Sequence, residues 1–166
     1  MNTPDNFNWD AAAFFERLTL ANKHAQVNGF RFERVSSLEG FHAAIGKMYS
    51  TKAYVAVSDE SQGTMSLDNS PHTRRVKTVF LAMRHADDDM TARERCLTKM
   101  RELFRQFMSM LILEKTRLEE QCIFIDERIS FNEIDRYFFT GCACAYFQIA
   151  IDTYTDLVYN PDEWLN

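Results

Sequence analysis

Residues 87–120 read DDDMTARERCLTKMRELFRQFMSMLILEKTRLEE, a stretch with neither glycine nor proline. Its apolar residues recur at spacings of three and four, which places them on one stripe of a helix. The stripe consists of Cys96, Leu97, Met100, Leu103, Phe104, Phe107, Met108, Leu111 and Ile112. Asp87, Asp88 and Asp89 lie where the positive end of the helix dipole falls, and cationic residues lie near its negative end. The sequence therefore predicts one long helix that begins at Asp88 or Asp89.

A stripe of this width cannot remain in water, so a broad apolar surface must cover it. Segments rich in β-branched and aromatic residues lie before the helix, at residues 54–58 and 75–85, and after it, at residues 122–129 and 137–157. We expect the first two to pair as antiparallel strands joined by a long exposed loop, and the last two to be strands linked around residues 132–135.

The last predicted strand alternates two sets of side chains. One set is Ala143, Ala145, Phe147, Ile149 and Ile151. Its small residues would let a helix approach closely at one end of the strand, while the Phe147 ring fills the space further along. We therefore expect this set to face the long helix.

An N-terminal helix is predicted from a cap at Asn8 or Asp10 to about Val27, where Asn28 and Gly29 end it. Its apolar stripe is Ala13, Phe14, Leu18, Ala21 and Ala25. The spacing of these residues predicts that this helix also packs against the core.

Two shorter elements follow. Residues 30–35 alternate apolar and charged side chains, which predicts a strand whose charged face meets solvent or lies at a sheet edge. A short second helix is predicted from Leu38 to about Lys47. The whole chain, residues 1–166, is therefore predicted to be a single α+β domain with a mostly antiparallel sheet and the long helix across one face.

Composition excludes several classes of protein. The net charge of −5 and the pI near 5.4 argue against a general nucleic-acid binder, which usually presents a basic face. No apolar run reaches the roughly 18 residues that a membrane span needs. The N-terminal residues lack a cationic region followed by an apolar one. We expect a soluble, unexported protein.

The four cysteines lie in apolar segments, which favours reduced, buried thiols over disulfides. Cys142 and Cys144 would project from one face of a strand, and two thiolates are half of a tetrahedral zinc site. No second pair of cysteines or histidines at ligand spacing completes it. We therefore expect buried, hydrophobic thiols. The alternative is a metal site that also uses Cys96 and Cys122.

The sequence contains no pattern that indicates catalysis. It has no nucleophile elbow and no phosphate-binding loop, and its four histidines are scattered. The carboxylates Asp126, Glu127, Glu133 and Asp135 cluster near a predicted turn, where solvated carboxylates are common. We predict no catalytic residue, no cofactor and no metal.

The predicted loop at residues 59–74 is longer than a hairpin needs. Its polar composition predicts mobility in the isolated chain, either as a solvated loop or as an arm that becomes ordered against a neighbouring subunit. Met65 and Leu67 are its large apolar groups, and Arg74 and Arg75 lie at its end. These four residues are candidate partner contacts.

The C-terminal tail, residues 159–166, contains Tyr159, Pro161, Trp164 and Leu165. A tail free in solvent does not need so many bulky groups. We expect it to pack either on its own domain or on the surface of a partner, and Trp164 is the candidate contact.

The segment AYFQIAIDTYTDLVYNPDEW, residues 145–164, resembles the closing segment of small neck and tail-completion proteins of tailed phages and prophages. The order of elements over residues 75–166 is similar to theirs too. The resemblance implies a small non-enzymatic α+β protein that assembles as a homo-oligomeric ring beside other virion proteins, in the host cytoplasm and then in the virion. The N-terminal helix and the short second helix depart from the commoner members, and no functional residue carries over.

Two other functions stay open. The first is a small-molecule-binding or enzymatic α+β domain with a pocket between the sheet and the short second helix. The second is a DNA-contacting adaptor that uses Arg74, Arg75 and Lys77, which the acidic net charge disfavours.

Overall fold

The computed structural model describes residues 9–36, 38–46, 51–58, 62–86, 88–134 and 141–165. Its helices are α1 (Ala11–Ala21), α2 (Lys23–Val27), α3 (Leu38–Gly46) and α4 (Met90–Glu119). Its strands are β1 (Phe30–Val35), β2 (Ala53–Ser58), β3 (Gln62–Ser66), β4 (His72–Arg84), β5 (Ile123–Ile125), β6 (Phe131–Glu133) and β7 (Cys142–Tyr154). A 3-10 turn, Pro161–Glu163, lies in the tail. The predicted α+β class is confirmed.

The strands of the described residues form one mixed sheet in the order β1-β2-β4-β7-β5, with β3 beside β4 and β6 beside β7. The central strands β4 and β7 have 13 residues each. They pair antiparallel over their whole length. Among the strands that the structure describes, only β1 and β2 pair in parallel, so the prediction of a mostly antiparallel sheet is confirmed. β1 lies at the sheet edge, as its charged residues predicted.

Helix α4 begins where its sequence predicts. The Asp89 carboxylate accepts a hydrogen bond from the Ala92 amide at 2.8 Å, which satisfies an N–H of the first turn. The buried residues of α4 are Cys96, Leu97, Met100, Leu103, Phe107, Leu111, Glu114 and Leu118. The predicted stripe is too wide: Ile112 is exposed, and Phe104 and Met108 are only half-buried. These three residues are four positions apart and form a second row beside the buried one.

The predicted N-terminal helix is divided at Asn22, whose extended backbone separates α1 from α2. Asp10 caps α1 by accepting a hydrogen bond from the Ala13 amide at 2.9 Å. The other predicted cap, Asn8, lies outside the described residues. The Asn22 side chain caps α2 by accepting from the Ala25 amide at 2.7 Å. Asn22 therefore ends one helix and begins the next, because asparagine is a favourable N-cap residue.

The predicted stripe of the N-terminal helix is wrong at two positions. Ala13 and Ala21 are exposed. The buried residues of α1 are Ala11, Ala12, Phe14, Phe15, Leu18 and Thr19. Phe15, which the predicted stripe did not contain, is fully buried. After α2, Gly29 has φ +73°, the left-handed conformation predicted for the end of the helix.

One face of the sheet packs against α1 and α4. The predicted inward set of β7, from Ala143 to Ile151, is buried in this core. Phe147 lies at its centre, with its ring centroid 5.6 Å from that of Phe15 and 5.0 Å from that of Phe104. The prediction that this face of β7 meets the long helix is therefore confirmed.

The opposite face is covered at one end by α3, the predicted second helix. Phe41 of α3 stacks on Phe80 of β4 with ring centroids 4.6 Å apart. Cys142 and Cys144 are buried in the same cluster. α3 ends at Gly46, and Lys47, the predicted end, lies outside the described residues.

The strands after α4 differ from the prediction. Residues 122–129 were expected to be one strand, but β5 contains only Ile123–Ile125. β6 occupies the place where a turn was expected. Both strands pair with the same side of β7, β6 near its start and β5 near its end. In the interruption between them, residues 126–130, the Asp126 amide still donates to the Ala150 carbonyl of β7 at 3.0 Å, but no strand forms.

Two further corrections concern the end of the chain and the thiols. The last strand ends at Tyr154 instead of residue 157, and residues 137–140 of its predicted start lie outside the described residues. Cys122 is exposed and has φ +58°, so the prediction that all four thiols are buried is wrong for this one. It lies in the tight turn that joins α4 to β5.

The predicted long loop is partly a strand. Residues 59–61 lie outside the described residues, β3 follows, and β4 begins at His72. β3 pairs antiparallel with the first residues of β4, so the turn contains only residues 67–71. Backbone hydrogen bonds to the extended β4 order this segment, although its side chains bury little surface. The predicted exposure is correct, because most of β3 is exposed.

Candidate assembly surface

The β3–β4 turn and the C-terminal tail lie at the same end of the sheet. The Thr155 amide donates a hydrogen bond to the Pro71 carbonyl at 3.0 Å. The Thr73 and Thr155 hydroxyls are 2.6 Å apart. These two contacts fix the point where the tail leaves β7 directly beside the turn.

The tail does not pack on its own domain. Trp164 is 65% exposed, and Leu165 is fully exposed. The Asn160 side chain accepts a hydrogen bond from the Asp162 amide at 3.1 Å, and the Tyr159 and Trp164 rings stack 6.4 Å apart. The tail therefore has local order without burial, and the expectation that it might fold back on its own domain is wrong for the described residues.

Large apolar side chains are exposed on both segments. We call this set the hairpin–tail surface: Met65, Leu67, Leu157, Val158, Tyr159, Trp164 and Leu165. Leu67, in the turn, is 82% exposed. Scattered apolar side chains are ordinary on a protein surface, but a group at one end of the molecule is typical of an interaction site.

Arg74 makes contacts within the chain. Its guanidinium donates to Asp152 at 2.9 Å and to Asp126. The Arg128 backbone N–H and then the Arg74 guanidinium hold the pKa of Asp126 below its usual value. Arg74 belongs to an ion-pair network across β4, β7 and the segment after β5, and its contact with a partner stays a prediction.

The proposed basic patch is divided by the sheet. Arg74 pairs with Asp152, whereas Arg75 is opposite Ile151, whose side chain belongs to the core under α4. Successive residues of a strand point to opposite faces, so Arg74 and Arg75 do not form one surface. Lys77 is buried. The three cations therefore do not present the continuous basic face that a DNA-contacting adaptor needs.

A groove lies between α4 and the interruption between β5 and β6. We call it the α4–β5 groove; its volume is about 400 Å³. It is lined by Phe104, Met108, Leu111, Ile112, Lys115, Ile125, Asp126, Glu127 and Ile129. Lys115 Nζ donates to Glu127 Oε1 at 2.6 Å at its edge, and this contact lowers the pKa of Glu127.

The groove follows from the interruption of the sheet edge. Because residues 126–130 are not a strand, that segment covers the second apolar row of α4 only in part: Ile129 packs beside Phe104 and Met108, and Ile112 stays exposed. Sequence reasoning missed this groove. The signal was the row of Phe104, Met108 and Ile112 within the predicted stripe, which lies beside the row that the structure buries.

A second cavity, of about 280 Å³, lies at the start of α1. It is lined by Trp9, Asp10, Ala11, Ala12, Arg34, Val57, Ser58 and Lys77. Arg34 and Asp10 form an ion pair at 3.7 Å. Neither this cavity nor the α4–β5 groove lies between the sheet and α3, where a pocket was predicted under the small-molecule alternative.

Cys142 and Cys144 lie side by side under α3. The hydrogen bond with Cys142 and burial both raise the pKa of the Cys144 thiol, which keeps it protonated. Over the described part of the chain, no three His, Cys, Asp or Glu side chains form a group that could hold a metal ion. Over the same residues, no helix combines the length and the apolar character needed to cross a bilayer.

No known protein family has a profile that matches this sequence, and no curated protein matches it. The resemblance to neck and tail-completion proteins therefore rests on residues 145–164 and on the order of elements. It remains a prediction.

Proposed function

We propose that this protein is a non-enzymatic assembly component that binds copies of itself through the hairpin–tail surface. The observation that carries the proposal is the exposure of Leu67 and Met65 in the hairpin and of Trp164 and Leu165 in the tail, two segments that adjoin where the Thr155 amide bonds the Pro71 carbonyl. Burial of such side chains is a main source of association free energy, and aromatic residues are frequent hot spots in interfaces.

A narrower proposal names the assembly as the neck or tail-completion ring of a tailed phage or prophage. The resemblance of residues 145–164 supports it, and so do the small α+β domain and the exposed tail. Contacts between two different surfaces of identical subunits produce rings when the rotation closes. Neighbouring virion proteins are the further partners, in the host cytoplasm during assembly and then in the virion.

Sedimentation of the purified chain over a range of concentrations tests the broader proposal. We expect oligomers in the wild type and their loss in a variant that carries Trp164→Ser and Leu165→Ser. Leu20→Ser is the matched control, because Leu20 is equally exposed but lies on α1. A wild-type chain that stays monomeric at every concentration, alone and with virion proteins of the same genome, contradicts the proposal.

Electron microscopy and genomic position test the narrower proposal. Closed rings, and a gene between capsid and tail genes, are the expected results. Open or irregular oligomers from a gene in another setting would contradict the phage assignment and leave the assembly proposal intact.

A second candidate function is binding of a small apolar molecule, and the α4–β5 groove favours it. Its volume of about 400 Å³ is within the usual range for ligand sites. The polar groups at its edge are already paired with each other, as Lys115 is with Glu127. A ligand there would be held mainly by apolar contact, and a thermal-shift screen with apolar compounds tests this function.

A further inference from the structure

We propose that β3 of one copy pairs antiparallel with β3 of a second copy, about a two-fold axis at Thr64, so that the two sheets become one. This inference rests on the proposed function, because it names the contact through which the hairpin part of the hairpin–tail surface binds another copy. The partner of the edge of β3 is therefore the same strand of an identical chain.

The outer edge of β3 is open. β7 occupies one side of β4 over the whole length of that strand, so β2 and β3 both lie along the other side. β1 continues the sheet beyond β2, but its pairing stops at Val35 and Ser58, before β3 begins. Among the strands that the structure describes, none pairs with the outer side of β3. Such an edge offers a row of backbone N–H and C=O groups to another strand.

The composition of β3 permits this pairing. The strand reads QGTMS, with no charged residue and no proline, and four of its five residues are exposed. Charged side chains and prolines are the usual means by which proteins prevent edge strands from pairing. At the opposite edge of the sheet, β1 contains Arg31, Glu33 and Arg34. β5 and β6 have only three residues each. Within the described sheet, β3 therefore offers the longest edge without charges.

The register about Thr64 makes the strand complementary to itself. Thr64 faces its own copy, Gly63 faces Met65, and Gln62 faces Ser66. No pair brings like charges together, and threonines directly opposite each other form a favourable cross-strand pair. Because Gly63 has no side chain, Met65 of the other copy has room across the strand. The two Met65 side chains become diagonal neighbours on one face, which buries a residue that is 51% exposed in the single chain.

A two-fold contact of this kind closes at two copies, because the same surface is used on both sides. A ring therefore needs a second contact that joins one pair to the next. The exposed Trp164 and Leu165 of the tail take no part in the pairing of β3, so they remain available for that contact.

Charges placed at Thr64 test the two-fold axis. Thr64→Lys and Thr64→Glu should each weaken self-association about tenfold, because the axis brings two like charges together. An equimolar mixture of the two variants should recover most of the loss, since each mixed pair joins opposite charges. Thr116→Lys and Thr116→Glu, at an exposed threonine of α4, are the matched controls and should leave association unchanged. A thermal melt checks that every variant is folded, and a mixture that associates as weakly as its components contradicts the inference.

A disulfide trap tests the register. All variants carry Cys122→Ser, which removes the exposed native thiol. Thr64→Cys chains should cross-link to each other, because directly opposite residues have Cα atoms within the range of a disulfide. Ser66→Cys chains alone should remain uncrosslinked, since the register places the two copies of this residue four positions apart, about 14 Å. Ser66→Cys mixed with Gln62→Cys should give pairs that contain one chain of each kind.

The same measurements distinguish failure of this inference from failure of the proposed function. Oligomers whose Thr64→Cys chains do not cross-link overturn the inference and retain the function. Ser66→Cys chains that cross-link to each other as readily as Thr64→Cys chains also overturn it, because the strands then have no fixed register. A chain that never oligomerises overturns both.

Discussion

The two ends of β4 differ although they belong to one strand. Residues 79–83 are buried, with helices covering the sheet on both faces. Residues 72–76 are only half-buried, and they pair with β3 instead of β2. The local sequences are VFLAM at the closed end and HTRRV at the open end.

The closed and the open end of these strands therefore have different roles. At the closed end, apolar burial against α4 and α3 stabilises the domain. At the open end, backbone hydrogen bonds hold β3 and the start of β4, while large side chains remain exposed. Substitutions at the closed end should therefore affect folding, and substitutions at the open end should affect association.

The largest expected effect is that of Phe147→Ala at the closed end. Phe147 is fully buried between Phe15 and Phe104, so truncation should leave a cavity and cost about 3–5 kcal/mol of unfolding free energy. Chemical denaturation measures it. Tyr154→Ala, on the same strand but exposed, is the control and should change stability by no more than about 0.5 kcal/mol. Equal losses of unfolding free energy in the two variants would contradict the distinction between the closed and the open end of the strands.

Next in size is Glu114→Gln, on α4. The buried Glu114 carboxylate accepts from Trp9 Nε1 at 3.1 Å and from Arg117 Nε at 3.0 Å. Weakening these charge-assisted bonds should cost about 1–3 kcal/mol. Glu119→Gln, at a more exposed carboxylate of α4, is the control. A change in unfolding free energy below the error of chemical denaturation would show that the bonds of Glu114 to Trp9 and Arg117 contribute nothing.

The same carboxylate gives a pH dependence. The Arg117 hydrogen bonds hold the pKa of Glu114 below its ordinary value of 4.5. The folded state therefore binds this proton less readily than the unfolded state, so the stabilisation is present above about pH 4.5 and is lost as the pH falls toward the lowered pKa. Wild-type stability should decrease more steeply than that of Glu114→Gln in this acid range.

Elements with local periodic signals could be predicted from the sequence. The spacing of apolar residues and the aspartates before Met90 placed α4, and the alternation along β7 placed Phe147 against it. Both signals arise from neighbours in the sequence, so no knowledge of the rest of the fold was needed. The antiparallel pairing of residues 54–58 with residues 75–85 was also predicted, across the long loop expected between them.

Features that depend on distant partners could not be predicted. The Trp9–Glu114 hydrogen bond joins residues 105 positions apart. β3, with the sequence QGTMS, has little strand propensity of its own and forms because β4 extends beyond β2 and offers an edge. The α4–β5 groove likewise exists because two short strands share one side of β7.

A smaller effect is expected where the tail is attached. Thr155→Val removes the hydroxyl that faces Thr73 at 2.6 Å and leaves the amide bond to Pro71 intact. The free energy of local opening at Thr155 should fall by about 0.5–1.5 kcal/mol. Faster amide hydrogen exchange at Thr155 measures this change. Thr116→Val, on the exposed side of α4, is the control. Unchanged exchange at Thr155 would mean that the backbone alone fixes the start of the tail.

The smallest effect on folding, and the most informative, is that of Trp164→Ser. The chain has two tryptophans: Trp9 is buried and bonded to Glu114, whereas the Trp164 ring is exposed and stacks on Tyr159 in the tail. Because Trp164 buries little surface within the chain, its loss should change the unfolding free energy of the monomer by no more than about 0.5 kcal/mol. In the unassembled wild type, acrylamide should quench Trp164 and spare Trp9, and assembly should protect Trp164. A destabilisation as large as that of Phe147→Ala would place Trp164 in the core and contradict the separation of folding from association.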